Sequence, residues 1–249
     1  HDSVKQEGTE ATGDLTGALI GFSTAKGEVV QVKVASSFIS PEQAELNLDR
    51  EIGDRTFDEI RTESQQIWEN ELGKIRVEGG TEAQRKTFYS CLYRTLLFPR
   101  PLHEITAEQD TVHYSPYNGE VLPGYLYTDN GFWDTFRAVF PCISLMYPEL
   151  DAKVMRGLVN TYKESGWLPE WASPGHRSVM IGSNSASLIA DAYLKGIRGY
   201  DIETLYEAII KNTIGVGPVK SVGRYGHEYY NELGYVPYDV DINENAARS

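Results

Sequence analysis

The chain of 249 residues has few cysteines and few cations, and it has no long apolar run. Its two cysteines, Cys91 and Cys142, fall in apolar helical contexts without metal-type spacing, so they read as buried free thiols; a disulfide is the alternative. Only 23 Lys plus Arg stand against 36 Asp plus Glu, giving a formal charge of −13 and no basic stripe. Such a surface repels phosphate backbones and anionic lipid, which argues against nucleic-acid and membrane-surface partners. No apolar run approaches the roughly 20 residues that span a bilayer, and the opening HDSVKQEGTE has no signal-peptide apolar core. If the protein is exported, its leader is expected to be already absent. A Ser-centred nucleophile elbow, a phosphate-cradling Gly loop, a Cys-based metal cluster and internal repeats are also missing from the pattern. Carboxylate chemistry is what remains.

Aromatic residues are abundant: 16 Tyr, 8 Phe and 4 Trp, many beside Gly, Pro, Asp or Glu. That composition suits sugar recognition and equally suits an aromatic core. Before residue 40 the pattern is strand-like, with an apolar run at 15–22 and Val30, Val32 and Val34 alternating with Gln31 and Lys33. So few strands are expected to be the last of a β domain begun elsewhere. Ser40 as N-cap and Pro41 at the first helical position open a helical linker over 41–80, punctuated by Gly53, Gly73, Gly79 and Gly80, with a return strand at Ile75–Val77. A helix is expected from Glu82 to about Phe98, ended by Pro99 and Pro101. Residues 102–130 read as a long Tyr-, Gly- and Pro-rich loop, a kind that is often functional. Four further helices follow: Gly131–Met146, one from Pro148, one with Ala186, Ile189, Ala190, Tyr193, Leu194 and Ile197 on a stripe, and one capped by Asp201. Helical hairpins joined by long aromatic loops describe an α/α toroid, with a plain helical bundle as the alternative. The chain ends at INENAARS in what reads as the start of another helix, so the toroid is expected to be unfinished.

Three segments carry the chemistry. DNGFWDTFRAVFP at 129–141 sets Trp133, Asp134 and Arg137 around a helix start, where an indole can stack on a sugar and a carboxylate can accept from two hydroxyls. A helix N-terminus with an ordinary core Trp is the simpler reading of the same residues. GWLPEW places Glu170 between Trp167 and Trp171. Indoles that strip water from a carboxyl raise its pKa, the condition for a general acid near neutral pH; an exposed loop Glu is the alternative. GRYGHEYYNELGYVPYDVDINEN at 223–245 offers His227 and Glu228, which suit reading sugar hydroxyls better than holding a metal. Asp239, Asp241, Asn243 and Asn245 are spaced like oxygen ligands, yet the Gly and bidentate Glu of an EF-hand are out of place, leaving a solvated acidic turn as the bland reading.

Taken together and in order, GFWDTFRAVFP, GWLPEW, MIGSNSASLIADAYLKGI and GHEYYNELGYVPYD resemble glycoside hydrolase family 92, the exo-acting α-mannosidases, most closely over residues 85–249. The resemblance implies a mixed fold: residues 1–40 closing an N-terminal β-sandwich, 41–80 a helical linker, and 81–249 the first part of an (α/α)6 catalytic domain, incomplete at both ends. It implies calcium-dependent, inverting hydrolysis of non-reducing terminal mannose on a glycan, outside the cytoplasm in periplasm, at the cell surface or secreted. Carried onto this sequence, Glu170 is the general acid, Trp133 and Asp134 hold the terminal mannose, and His227 and Glu228 recognise the leaving sugar. The family's calcium engages the mannose hydroxyls, with Asn184 and Asp191 as guesses for ligands. Its general base is expected beyond the matching residues, with Asp239 and Asp241 as the only local substitutes. The isolated chain is therefore expected to be inactive or poorly folded. Another toroid glycosidase, a sugar epimerase and a non-catalytic glycan-binding protein are the rival readings.

Overall fold

A computed structural model of the chain describes residues 8, 16–180, 182–219, 221–240 and 242. The chain divides into two compact units, His1–Lys33 and Val34–Ser249.

In the first unit, the described residues 16–33 form neither helix nor strand. One turn stands out, where the Glu28 N–H donates to the Ala25 carbonyl at 3.1 Å and the Ala25 N–H to Glu28 Oε2 at 2.8 Å. The strand pairing expected at 15–22 and 30–34 is not formed among the described residues. Alternation marks a strand only when a neighbour takes up its backbone groups, and here Leu19, Ile20, Val29 and Val32 stand exposed with no ladder beside them.

In the second unit the Ser40 hydroxyl accepts the Gln43 N–H and Pro41 opens α1, Pro41–Glu51. This helix docks through polar groups: Gln43 and Arg50 donate to the Ile105 carbonyl and Asn47 to Glu104. Gly53, at φ +54°, turns the chain into α2, Phe57–Leu72, which starts on a Thr56–Glu59 capping box. A second such box, Thr81–Gln84, starts α3, Glu82–Thr95. Trp68 of α2 meets Tyr93 of α3 with ring centroids 4.5 Å apart. The expected return strand at Ile75–Val77 is absent. Instead the Tyr89 hydroxyl donates to the Ile75 carbonyl and accepts the Val77 N–H, doing with one side chain what a partner strand would have done.

The expected loop at 102–130 is largely small antiparallel sheet. β1 (Arg100–Pro101) pairs with β5 (Tyr127–Thr128), and β2 (His103–Ile105), β3 (Thr111–Tyr114) and β4 (Val121–Pro123) form a meander in which His113 faces His103 on one side and Leu122 on the other. β6 (Asn130–Gly131) pairs with a strand far along the chain, β7 (Trp171–Ala172). The helix expected over Gly131–Met146 is two, α4 (Phe132–Thr135) and α5 (Val139–Met146). Then come α6 (Pro148–Ser165), α7 (Asn184–Leu194), α8 (Ile202–Ile214) and α9 (His227–Leu233). Pro148 at the start of α6 and the Asp201 cap of α8, whose carboxylate accepts the Thr204 N–H, are as the sequence implied.

These helices close on one apolar core, with Val154, Met155, Leu158 and Val159 of α6 against Leu188, Ile189 and Ala192 of α7 and Leu205 and Ala208 of α8. The buried face of α7 is thus Ser185, Leu188, Ile189 and Ala192. Of the expected stripe Ile189 and Ile197 are buried, whereas Ala190, Tyr193 and Leu194 are exposed. Two sets at helical spacing overlap on this helix, and the one that meets the apolar residues of α6 and α8 faces inward. Both cysteines are free, but Cys91 is exposed and only Cys142 is partly buried. Among the described residues no helix is long and apolar enough to cross a membrane.

Candidate active site

The segment carrying Glu170 is fixed before its side chain is considered. α6 ends on Gly166 at φ +79°, a left-handed cap whose N–H donates to the Tyr162 carbonyl at 2.7 Å. Two residues on, Asn212 of α8 clamps Leu168 from both sides, accepting its N–H at 3.2 Å and donating to its carbonyl at 3.0 Å. The Glu170 carbonyl accepts the Phe132 N–H at 3.1 Å, and the next residue pairs with Gly131 in the β6–β7 ladder. Gly131 is required there: a Cβ at this position would lie 2.3 Å from Cε3 of the Trp171 indole.

The Glu170 side chain is 1% exposed. Its Oε1 accepts from the Ser185 hydroxyl at 2.9 Å and its Oε2 from the Asn184 N–H at 2.7 Å, both on the first turn of α7. Ser183 precedes that helix without capping it, so the distant carboxyl fills the cap's place. Two influences compete. Burial favours the neutral acid, while the Ser185 hydroxyl and the Asn184 and Ser185 backbone groups favour the anion; burial prevails and pushes the group up to about 8. The expected elevation is therefore present, and burial is its cause. The groups hydrogen-bonded to the carboxyl belong to α7, whereas the Trp171 ring lies over Gly131 and Trp167 packs on Gly215 and Gly223 with Lys211 Nζ 4.8 Å from its centroid.

Through β6 and β7 the structure brings α4 to the acid's strand. Trp133 is partly buried, and Asp134 and Arg137 are exposed. The Arg137 guanidinium lies 4.7 Å from both the Trp133 and Phe136 rings and donates to the Trp133 carbonyl at 3.1 Å, so an indole face expected for a sugar carries a cation. His227 and Glu228 stand apart on α9, their Nε2 and Oε2 3.8 Å from each other. No hydrogen bond or ion pair among the described residues joins either one to Glu170. Their link runs through Trp167, whose ring touches Gly223 in the bridge that leads into α9. Asp239 is exposed, and Asp241, Asn243 and Asn245 lie outside the described residues. Asp191 is held by Lys195 at 2.6 Å, and Asn184 by its backbone bond to Glu170. Among the described residues no three His, Cys, Asp or Glu side chains are grouped to hold a metal ion.

The sequence reading passed over several groups near this segment. Ser185 lies in the polar SNS run, which signals a helix start but not its bond to Glu170. His176, just after the acid's strand, packs tilted against Tyr117 with ring centroids 4.9 Å apart; burial lowers it to about 4, and neither ring nitrogen has a hydrogen-bond partner among the described residues. His113 and Glu164 form a buried pair at 2.8 Å. Asp151, 2% exposed at the other end of α6, is pushed up to about 7 by burial and then by the Asp191 charge.

Residues 43–249 match the model of the glycosyl hydrolase family 92 catalytic domain. The chain belongs to this family. Family 92 structures resemble it in fold as well as in sequence. An inverting mannosidase of the family from Bacteroides thetaiotaomicron shares 54% identity, with a TM-score of 0.79 over 82% of this chain and 28% of its own. A family 92 α-mannosidase from the same organism shares 28% identity, with a TM-score of 0.72 over 82% of this chain and 27% of its own. A protein described as an uncharacterized secreted glycosidase, from Arthroderma benhamiae, is 30% identical over 219 residues, 84% of this chain and 23% of its length. The chain thus spans 23–28% of the length of these relatives.

Proposed function

We propose that this chain carries the acid half of an exo-acting α-mannosidase that removes non-reducing terminal mannose from glycans with inversion. The observation behind this reading is Glu170: a carboxyl 1% exposed, pushed up to about 8 and held by the first turn of α7, in a family 92 chain. A carboxyl in that state holds a proton at neutral pH and can give it to a departing glycosidic oxygen. Inversion sets a second carboxylate roughly 6.5–9.5 Å away to activate water. Trp133, Asp134 and Arg137, carried beside the acid by β6, would hold the terminal mannose, with Trp167 and Trp171 shaping the walls. Displacing the Arg137 guanidinium from Trp133 would free an indole face for the sugar. His227 and Glu228, reached through Trp167 and Gly223, would meet the leaving sugar.

The reading includes calcium as a cofactor. Among the described residues no three His, Cys, Asp or Glu side chains are grouped to hold it, and the acid's role stands without it. It also takes residues 81–249 as the first part of an (α/α)6 toroid, residues 41–80 as a helical linker and residues 1–40 as the close of a β-sandwich, and has the enzyme work outside the cytoplasm.

The test is Glu170→Gln in the full-length enzyme. An amide cannot donate the proton, so turnover of an alkyl mannoside should fall by about two to four orders of magnitude, while a dinitrophenyl mannoside, whose leaving group needs no proton, should be hydrolysed nearly as before. Equal losses on both substrates would remove Glu170 from the acid's role.

A further inference from the structure

The two oxygens of the Glu170 carboxyl occupy chemically unequal places. Oε2 faces the Asn184 N–H at 2.7 Å, a group that donates and never accepts, so Oε2 acts as an acceptor in either protonation state. Oε1 faces the Ser185 hydroxyl at 2.9 Å, and a hydroxyl both donates and accepts. Ser185 is itself 1% exposed, so bulk water does not stand in for it. The groups hydrogen-bonded to the carboxyl, namely the Ser185 hydroxyl, the Asn184 and Ser185 backbone N–H groups and the Asn184 side-chain amide, are neutral and lie on the first turn of α7. A proton on Oε1 finds an acceptor in the resting protein; one on Oε2 would compete with a fixed donor.

We propose that the transferable proton of Glu170 sits on Oε1 and that Ser185 is a positioning residue, accepting from that O–H in the resting acid and turning to donate to the same oxygen once the proton has gone. This rests on the reading of Glu170 as general acid. In the step, the O–H bond at Oε1 breaks and its proton bonds to the glycosidic oxygen. That oxygen keeps the electron pair of the breaking bond to the anomeric carbon. Water forms the new bond to that carbon and yields its surplus proton to a second carboxylate. The anion left at Glu170 then meets the Ser185 O–H, the Asn184 N–H and the positive end of α7 with no movement of the main chain. One hydroxyl rotation thus serves both charge states.

The experiment measures kcat/KM against pH, which reports the free enzyme, for an alkyl and a dinitrophenyl mannoside in the full-length enzyme and its Ser185→Ala, Ser185→Cys and Glu170→Gln variants. Ser185→Ala removes a donor to the carboxylate, so the alkaline limb on the alkyl mannoside should move upward by about one pH unit. Ser185→Cys, nearly isosteric and a weaker partner, should fall between Ala and wild type, and it carries the test alone if the Ala variant does not fold. The dinitrophenyl mannoside should be hydrolysed by both Ser185 variants at close to wild-type rates. An alkaline limb that stays in place in both Ser185 variants, with Glu170→Gln still selective for the activated substrate, overturns the role of Ser185 and leaves the acid intact. Loss of that selectivity in Glu170→Gln overturns the acid and the proposal with it.

Discussion

His113 Nε2 lies 2.8 Å from Glu164 Oε1, tying β3 to the last turn of α6 just before the chain bends at Gly166 towards the acid. The other ring nitrogen is 2.8 Å from the Gly124 carbonyl, so the imidazole is gripped at both ends. Burial pulls this histidine down, but the Glu164 hydrogen bond and charge and the Gly124 carbonyl outweigh it and leave the group raised above its usual 6.5. A raised folded value means that the pair's contribution is complete below about pH 6.5 and is lost as pH climbs through the folded value.

Glu164→Gln should therefore cost about 1–3 kcal/mol at pH 6 and flatten the decline that the wild type shows on passing to mildly alkaline pH. Urea unfolding at several pH values reads both quantities. Parallel wild-type and variant curves would show that the pair contributes no pH-linked stability.

Gly131→Ala should destabilise by about 1–3 kcal/mol, because its Cβ would fall within the Trp171 ring system. Combining it with Trp171→Leu should recover part of the loss, giving an interaction term of about 0.5–3 kcal/mol in a double-mutant cycle followed by thermal unfolding. Strict additivity would place the two residues out of contact.

Asp151 is a buried carboxyl whose Oδ1 has no protein partner; burial and then the Asp191 charge raise it to about 7, against the opposing Lys195 charge. The slope has the same sign as the histidine's, because both groups hold their proton longer in the folded state, but here the ionised form is the unfavourable one. The unfolded chain ionises near pH 4 and the folded one only near 7, so the group costs stability progressively across that window. Asp151→Asn should gain on the wild type by about 2 kcal/mol between pH 5 and pH 8. An advantage that does not change with pH would mean that Asp151 ionises as easily folded as unfolded.

Legibility in the sequence followed the range of the interactions. Ser40–Pro41, Pro148 and Asp201 announced helix starts because capping acts within three or four residues. Strands of two to four residues in 100–131 gave no usable alternation and were set by partners, such as β7 for β6, up to about forty residues away. The alternating valines at 30–34 show the converse, a local pattern with no ladder among the described residues to receive it. One aromatic stretch was read as one helix although Ala138, at ψ −49° and φ −137°, breaks it into α4 and α5. At the candidate site the burial of Glu170 was legible from its apolar neighbours, but its contact with Ser185, fifteen residues on, was not. The same holds for His113 and Glu164, fifty-one positions apart.

Because Ser183 makes no side-chain cap and Glu170 takes that place, the proposed acid would serve both chemistry and architecture. A descendant that discarded the acid for an apolar residue would also leave the start of α7 frayed, and would have to recruit position 183 or another oxygen to mend it. If Glu170 is the acid proposed above, loss of catalysis is coupled to a repair, and this helix start is where the sequence of a retired enzyme would record its retirement.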